Sequence, residues 1–277
     1  MLNCEGHKLA NWLSILEVCS QKMKEEIIAL FGSEEAKNGF GIGAGGDVTK
    51  KIDLAAENAL IQTLQDHRVS CTLISEEAGT KEIGPNPSSF YLTTDPLDGT
   101  TNAVRGAPFM AISLAVSKRP YLKDVETALV SDPVHDITYT AERGKGAFRN
   151  REGIQPSLAK SLEEAVMGVD FNTLKIREIM PRLIPILEKI KHLRHFGANA
   201  LELCYVADGT TDAFIDIRGK LRVTDIAAAY LILREAGGII VTPEGNELDV
   251  PLDATQRVAF IAAANKTFYA EVKELLK

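Results

Sequence analysis

Residues 90–102 read FYLTTDPLDGTTN. A β-rich run ends in two carboxylates three residues apart, Asp95 and Asp98, followed by Gly99, Thr100 and Thr101. Carboxylates at the end of a buried strand are costly unless positive charge neutralises them. A hard divalent cation does so with oxygen ligands alone. Pro96 fixes the turn, Gly99 lets backbone approach a ligand, and the amides of Gly99, Thr100 and Thr101 could open a helix that holds an anion at its N-terminus. A surface turn built on Asp-Pro and Asp-Gly would also explain this stretch taken alone. The rest of the chain decides between them.

Two further segments repeat the pattern. LISEEAG (73–79) places Glu76 and Glu77 after an apolar strand, and RVTDIAAAYLILREAGG (222–238) starts a long apolar helix at Asp225. Singly, paired glutamates read as a solvated face and a leading Asp as a helix cap. Together, three element ends carrying carboxylates form the pattern of a multi-metal site. Hydrolysis of a phosphate monoester needs charge neutralisation, an activated water and in-line geometry, and two or three metal ions supply all three. With five His in the chain, none flanking a convincing Ser or Cys, covalent nucleophilic catalysis has no candidate.

The composition agrees with an enzyme-sized soluble chain. There are 277 residues, 45% hydrophobic and 25% charged, with 31 Lys plus Arg against 38 Asp plus Glu for a formal net charge of −7. No basic run offsets that charge, so no nucleic-acid partner is expected. No apolar run reaches the roughly 18 residues of a membrane span, so no membrane partner is expected either. The N-terminal stretch MLNCEGHKLANWL has no secretory pattern. Cys4, Cys19, Cys71 and Cys204 include no C-x-x-C pair, which argues against zinc and for reduced thiols in the cytoplasm.

Periodicity predicts helices over 8–31 and 53–66, then strands at 69–75, 90–94, 110–117, 126–132 and 136–142. Between the two helices, 33–51 holds Gly39, Gly41, Gly43, Gly45 and Gly46, read as a mobile loop. Beyond a soft linker at 150–160, strands at 165–171, 192–196, 211–217, 238–242 and 258–264 alternate with helices at 174–190, 199–207, 225–236 and 266–277. This is an α/β chain, read as one unit over 1–277 with an α+β half (1–155) carrying the loop and the acidic motif and an α/β half (156–277) carrying substrate contacts.

The motifs resemble those of the inositol monophosphatase family of magnesium-dependent, lithium-sensitive phosphatases. That wider group includes fructose-1,6-bisphosphatases and 3′-phosphonucleotide phosphatases. Asp95 through Asn102 match its first signature; Asp225-Ile226-Ala227-Ala228 and Glu235-Ala236-Gly237-Gly238 match its second, with Thr224 where the family usually has Trp. The resemblance implies a layered α/β/α/β/α sandwich, the inositol monophosphatase/fructose bisphosphatase fold, in a homodimer. It implies two or three Mg²⁺ per subunit, replaceable by Mn²⁺, held by Glu77, Asp95, Asp98, Asp225, the Leu97 carbonyl and, at the weakest site, Asp53. Asp47 falls in the same segment as Asp53, with Thr49 and Lys50 as helpers. Catalysis falls to Glu77, Thr100 and Asp95, with Glu77 and Thr100 activating the water. Phosphate falls to Asp98, Gly99, Thr100 and Thr101. A haloacid-dehalogenase-like mechanism would need a nucleophilic Asp two residues before Asp98, where this chain has Pro96.

On the substrate side the resemblance assigns Gly197, Ala198 and Asn199 to the organic part and Asp216, beside Asp225, to its hydroxyls. The insert between those two aspartates carries Arg218, Lys220 and Arg222, and with Arg194 it could surround a second phosphate. This departure and Thr224 look closest to the archaeal dual fructose-1,6-bisphosphatase/inositol-1-monophosphatase type. The expected substrate is therefore a small phosphorylated sugar or inositol, fructose 1,6-bisphosphate or inositol 1-phosphate, in carbohydrate metabolism such as gluconeogenesis. The alternatives are a 3′-phosphoadenosine or NADP phosphatase of the same fold and a non-catalytic metal- or anion-binding regulator.

Overall fold

The computed structural model describes residues 11–85, 87–173 and 175–276. Cys4 and the first residues of the helix expected over 8–31 lie outside them. Helix α1 (Trp12–Leu30) is capped by Asn11 and buries Leu16, Cys19, Met23 and Ile27 on one face, as its spacing predicts. The glycine segment that follows forms a two-stranded ribbon, β1 (Gly39–Ile42) with β2 (Val48–Lys50), before α2 (Lys51–Asp66).

Eight strands make the first large sheet: β3 (Cys71–Ser75), β4 (Gly79–Ile83), β5 (Tyr91–Asp98), β6 (Ala111–Ser117), β7 (Val125–Asp132), β8 (Ile137–Glu142), β9 (Ala147–Arg149) and β10 (Glu152–Gly153). Their order is β10-β9-β8-β7-β6-β5-β3-β4, with β3 and β5 parallel. A short helix, α3 (Thr100–Arg105), opens directly after β5. Residues 154–161 cross without regular structure to a five-stranded sheet of β11 (Val166–Val169), β12 (His192–Arg194), β13 (Ala213–Arg222), β14 (Ile239–Val241) and β15 (Arg257–Ala263), in the order β12-β11-β13-β15-β14. Helices α4 (Ile176–Leu187), α5 (Asn199–Ala207), α6 (Val223–Ala236) and α7 (Lys266–Leu275) complete the chain.

The layers follow from which faces are apolar. Helices α1 and α2 pack on each other and on one face of the large sheet, around Leu16, Met23, Leu60 and Leu114. Helices α5 and α6 fill the space between the sheets, and α4 with α7 covers the outer face of the smaller one. The result is the expected α/β/α/β/α sandwich. Strand β6, AISLAVS, is buried at every position because helices cover both faces of its sheet, so its sequence shows no polar alternation. Helix α6 is buried from Val223 through Leu233, and Ala227, Ala228 and Ala229 let it sit close to strands on both sides.

Element ends differ from the periodicity reading where local hydrogen bonds decide. The strand expected to stop at 217 continues to Arg222 through an irregular register between Asp216 and Leu221, so the basic insert is strand rather than loop. Helix α6 begins at Val223, two residues early, because the Asp225 side chain accepts from the Arg222 amide and caps it. Strand β4 is exposed from Thr80 through Glu82 and so carries no apolar alternation, and β9 and β10 are too short to show one. Overpacking the small face of α6 tests the layering: Ala228→Leu is expected to lower stability by about 1–3 kcal/mol. That should appear as a lower urea midpoint at unchanged denaturant slope, and an unchanged midpoint would mean the helix is not held between the sheets.

Candidate metal centre and cleft

The acidic residues meet where four element ends converge on a cleft of about 880 Å³. Parallel strands β3 and β5 run in register, Ser75 beside Thr94, and the Glu76 amide donates to the Thr94 carbonyl at 3.2 Å. That pairing puts Glu76 next to Asp95. Asp225 arrives from the first turn of α6. Carboxylate oxygens of Glu76, Asp95 and Asp225 all lie within 4.8 Å of one another, and all three residues are buried.

Glu77, expected as a ligand, lines the same cleft but is not one of these three. The turn after β3 carries Glu77 away toward the glycine segment, where it is half-buried and accepts from the Thr49 hydroxyl. The residue that joins Asp95 and Asp225 is Glu76. The signal was present in the pairing of two strands rather than in either strand alone. The turn itself is set by buried Glu57, which accepts from the Ser75 hydroxyl and, at 3.1 Å, from the Ala78 amide.

The cluster is only partly neutralised, by Arg222 against Glu76 and Asp225. Glu76, Asp95 and Asp98 are held well above the ordinary carboxylate range, first by burial and then by neighbouring carboxylates, Asp225 prominent in each case. Asp98 directs one oxygen to the Ala200 amide at 2.6 Å, in the first turn of α5, and Asp95 accepts from the Leu97 amide at 3.0 Å. An all-oxygen donor set, buried and mutually repelling, is the chemistry that suits Mg²⁺ or Mn²⁺.

Asp53 and Asp225 are placed by the same device. Each is the third residue of its helix and accepts from the amide three residues back, Lys50 at 2.8 Å and Arg222 at 3.1 Å. The second oxygen of Asp53 accepts from the Thr100 hydroxyl at 2.9 Å, and that hydroxyl is also 3.0 Å from the Leu97 carbonyl. Burial pushes Asp53 up to about 7.

The corner expected to receive phosphate is tight. Gly99 has φ 89°, and a Cβ there would come 3.1 Å from Ala198 Cβ and from the Phe109 carbonyl, so only glycine fits. Asn102 donates at 2.8 Å to the Phe109 and Phe196 carbonyls, while Glu202 accepts from the Phe196 and Gly197 amides at 3.2 and 2.9 Å. Thr101, Gly197 and Asn199 line the cleft; Ala198 is fully buried beneath it. Burial pushes Glu202 up to about 7.

The substrate-side assignments need larger corrections. Asp216 is fully buried and accepts from the Arg218 amide, Nε and Nη2, so it does not line the cleft. Arg218 Nη2 also meets Asp170 at 2.5 Å, and its Nη1 donates to the Asn172 carbonyl at 3.0 Å. Its charge is thus taken up by two carboxylates that join the end of β11 to β13. Arg194 lies on edge strand β12, exposed and bonded to its neighbour's carbonyl, outside the cleft walls. Lys220 is exposed, lines the cleft and has no ion-pair partner among the described residues. Sequence reasoning missed Asp170, His195 and Arg257, which also line the cleft.

The sequence profile of the inositol monophosphatase family matches residues 10–276. The chain is 35% identical over 275 residues to the fructose-1,6-bisphosphatase/inositol-1-monophosphatase of Methanothermobacter thermautotrophicus, with 96% of each chain covered. It is 35% identical over 266 residues to a bifunctional NADP phosphatase/NAD kinase of Methanococcus maripaludis, a match covering 88% of this chain and 45% of that protein. A crystal structure of an inositol monophosphatase–fructose 1,6-bisphosphatase gene product superimposes with a TM-score of 0.83 at 30% identity, covering 95% of this chain and 99% of that one. The layers described above are the layers of that fold.

The two adjacent glutamates separate in one measurement. Glu76→Gln is expected to weaken Mn²⁺ binding by more than about 100-fold and Glu77→Gln by less, at most the roughly 10–100-fold typical of groups just outside the ligands. Calorimetric titration of the two variants checks this, and the reverse order would return Glu77 to the centre.

Proposed function

The chain belongs to the inositol monophosphatase family, and we propose that it is a Mg²⁺-dependent phosphate monoester hydrolase acting on fructose 1,6-bisphosphate, inositol 1-phosphate or both. The observation that carries this reading is the convergence of Glu76, Asp95 and Asp225 within 4.8 Å beside the Thr100–Asp53 hydrogen bond. Glu76, Asp95, Asp98, Asp225 and the Leu97 carbonyl would hold two or three ions, with Asp53 at the margin. When bound, such ions neutralise phosphate charge and activate water.

The chain's own groups do the rest. The Thr100 hydroxyl, which donates to Asp53, keeps lone pairs with which to accept a hydrogen bond from a water. A proton leaving that water can pass to Thr100 Oγ1 as Thr100 gives its own to Asp53 Oδ1, 2.9 Å away. The Gly99 turn presents the Thr100 and Thr101 amides to the phosphate, and Gly197 and Asn199 face the organic part. The Asp170–Arg218–Asp216 network serves as a rigid wall. We further read the protein as a cytoplasmic homodimer in gluconeogenic sugar metabolism. The free thiols of Cys19, Cys71 and Cys204 support a reducing compartment.

NADP is the second substrate to test, favoured by the 35% identity to the NADP phosphatase/NAD kinase, of which this chain spans 45%. Phosphate release is measured from fructose 1,6-bisphosphate, inositol 1-phosphate, 3′-phosphoadenosine 5′-phosphate and NADP, with Mg²⁺ and with excess chelator. Turnover of the first two, abolished by chelator, is expected. Activity that survives chelation would overturn the metal reading, and dominance of NADP would replace the sugar substrate. Lys220→Ala should raise KM for fructose 1,6-bisphosphate about tenfold, the scale of one charge-assisted phosphate contact, and change inositol 1-phosphate much less. Arg218→Ala should impair both substrates alike, because it releases two buried carboxylates.

A further inference from the structure

The glycine ribbon is fastened from the far half of the chain by two arginines. Arg222 and Arg257 are direct partners across the antiparallel β13–β15 pair. Arg257 Nη2 donates to the Gly45 carbonyl at 2.6 Å. Arg222 Nη1 lies 2.8 Å from Asp47 and 2.5 Å from Glu76, while its Nε lies 3.2 Å from Asp225. The ribbon answers with backbone: the Gly45 amide donates to the Glu76 carbonyl at 2.7 Å and the Ala44 amide to the Glu77 carbonyl at 3.0 Å. A Cβ on Gly45 would stand 2.8 Å from both Arg222 Nη1 and Glu76 Cγ, so this glycine permits contact rather than flexibility.

Arg222 faces two ways. Its side chain is 13% exposed, and among the described residues it makes every ion pair recorded for Glu76 and Asp225. Those are two of the three carboxylates whose oxygens converge. A guanidinium and a divalent cation therefore draw on the same charge. The third partner, Asp47, is exposed and belongs to the ribbon.

We propose that Arg222 is a positioning residue that competes with divalent metal for Glu76 and Asp225 while holding the ribbon through Asp47, and that Arg257 is a second, metal-independent fastener of the same ribbon. This rests on the metal reading of the cluster. It assigns to Arg222 a coupling between metal affinity and the placement of residues 43–47 over the cleft, while Arg257 holds those residues with or without metal.

Two readouts, neither of them activity, test it. Chymotryptic cleavage after the exposed Phe40 in chelator reports ribbon opening, and calorimetric Mn²⁺ titration reports competition. Arg257→Ala should be cut about tenfold faster with Mn²⁺ affinity unchanged. Arg222→Gln should be cut faster as well and bind Mn²⁺ about tenfold more tightly, because the competing charge is gone. Arg222→Lys, keeping the charge, should return affinity toward that of the parent chain. Weaker or equal Mn²⁺ binding by Arg222→Gln would overturn the competition. Unchanged cleavage in both Arg222→Gln and Arg257→Ala would overturn the fastening. If the parent chain binds no Mn²⁺, the metal reading and the competition fall together, while the cleavage arms still decide the fastening.

Discussion

Everything in this chain that resembles function depends on keeping several carboxylates close together and out of water. Glu76, Asp95 and Asp98 each hold their protons more tightly than an ordinary carboxylate because burial and neighbouring charge disfavour ionisation. A carboxyl whose folded pKa lies above its unfolded value favours the fold in acid and opposes it increasingly as pH passes the unfolded value. At neutral pH the metal-free cluster therefore works against folding. Arg222 offsets part of that repulsion, and a divalent cation, binding only the folded arrangement, would offset the rest.

The fold meets this demand by spreading the carboxylates over elements that are independently secured. Asp53 and Asp225 sit at the third position of helices whose capping bonds fix them. Asp98 is tied to the start of α5 and Glu76 to the edge of β5 through the Thr94 carbonyl. The bonds to Asp53, Asp98 and Asp225 leave lone pairs on each carboxylate for a ligand, and the Glu76 bond, made by its backbone amide, uses no carboxylate oxygen at all. The core surrounds the site on the same terms: α6, which starts at Asp225's turn, is clamped between both sheets.

How much of this could be read from residue order depends on the range of the interaction. The Asp95–Asn102 turn and the α6 start are local, governed by proline, glycine and capping at spacings of three or four, and they were legible. So were the layers, because helical and strand periods mark which faces are apolar. Glu76 against Glu77 was not legible, since the choice rests on how β3 registers with β5. Nor was the fate of Arg218: a basic residue two positions from Asp216 looks like a phosphate ligand in a loop, yet in a strand the two side chains lie on one face and neutralise each other. The glycine segment reads as loose for a sound local reason, and tertiary contact gives Gly45 a different one.

The ribbon and the cluster also bind the two halves of the chain to one another. Glu76 and Asp95 come from the first half, Asp225, Arg222 and Arg257 from the second, and Asp47 with Gly45 from the ribbon of the first. A guanidinium shared among carboxylates of both halves resists separation of the sheets at the cleft, and an ion held there would add to that resistance. Ordinary packing around α5 and α6 already joins these halves, so the charged groups are not needed to hold them together. Their effect is instead on precision at the cleft, where a small displacement would part the Thr100 hydroxyl from Asp53, 2.9 Å away, or spread the oxygens of Glu76, Asp95 and Asp225.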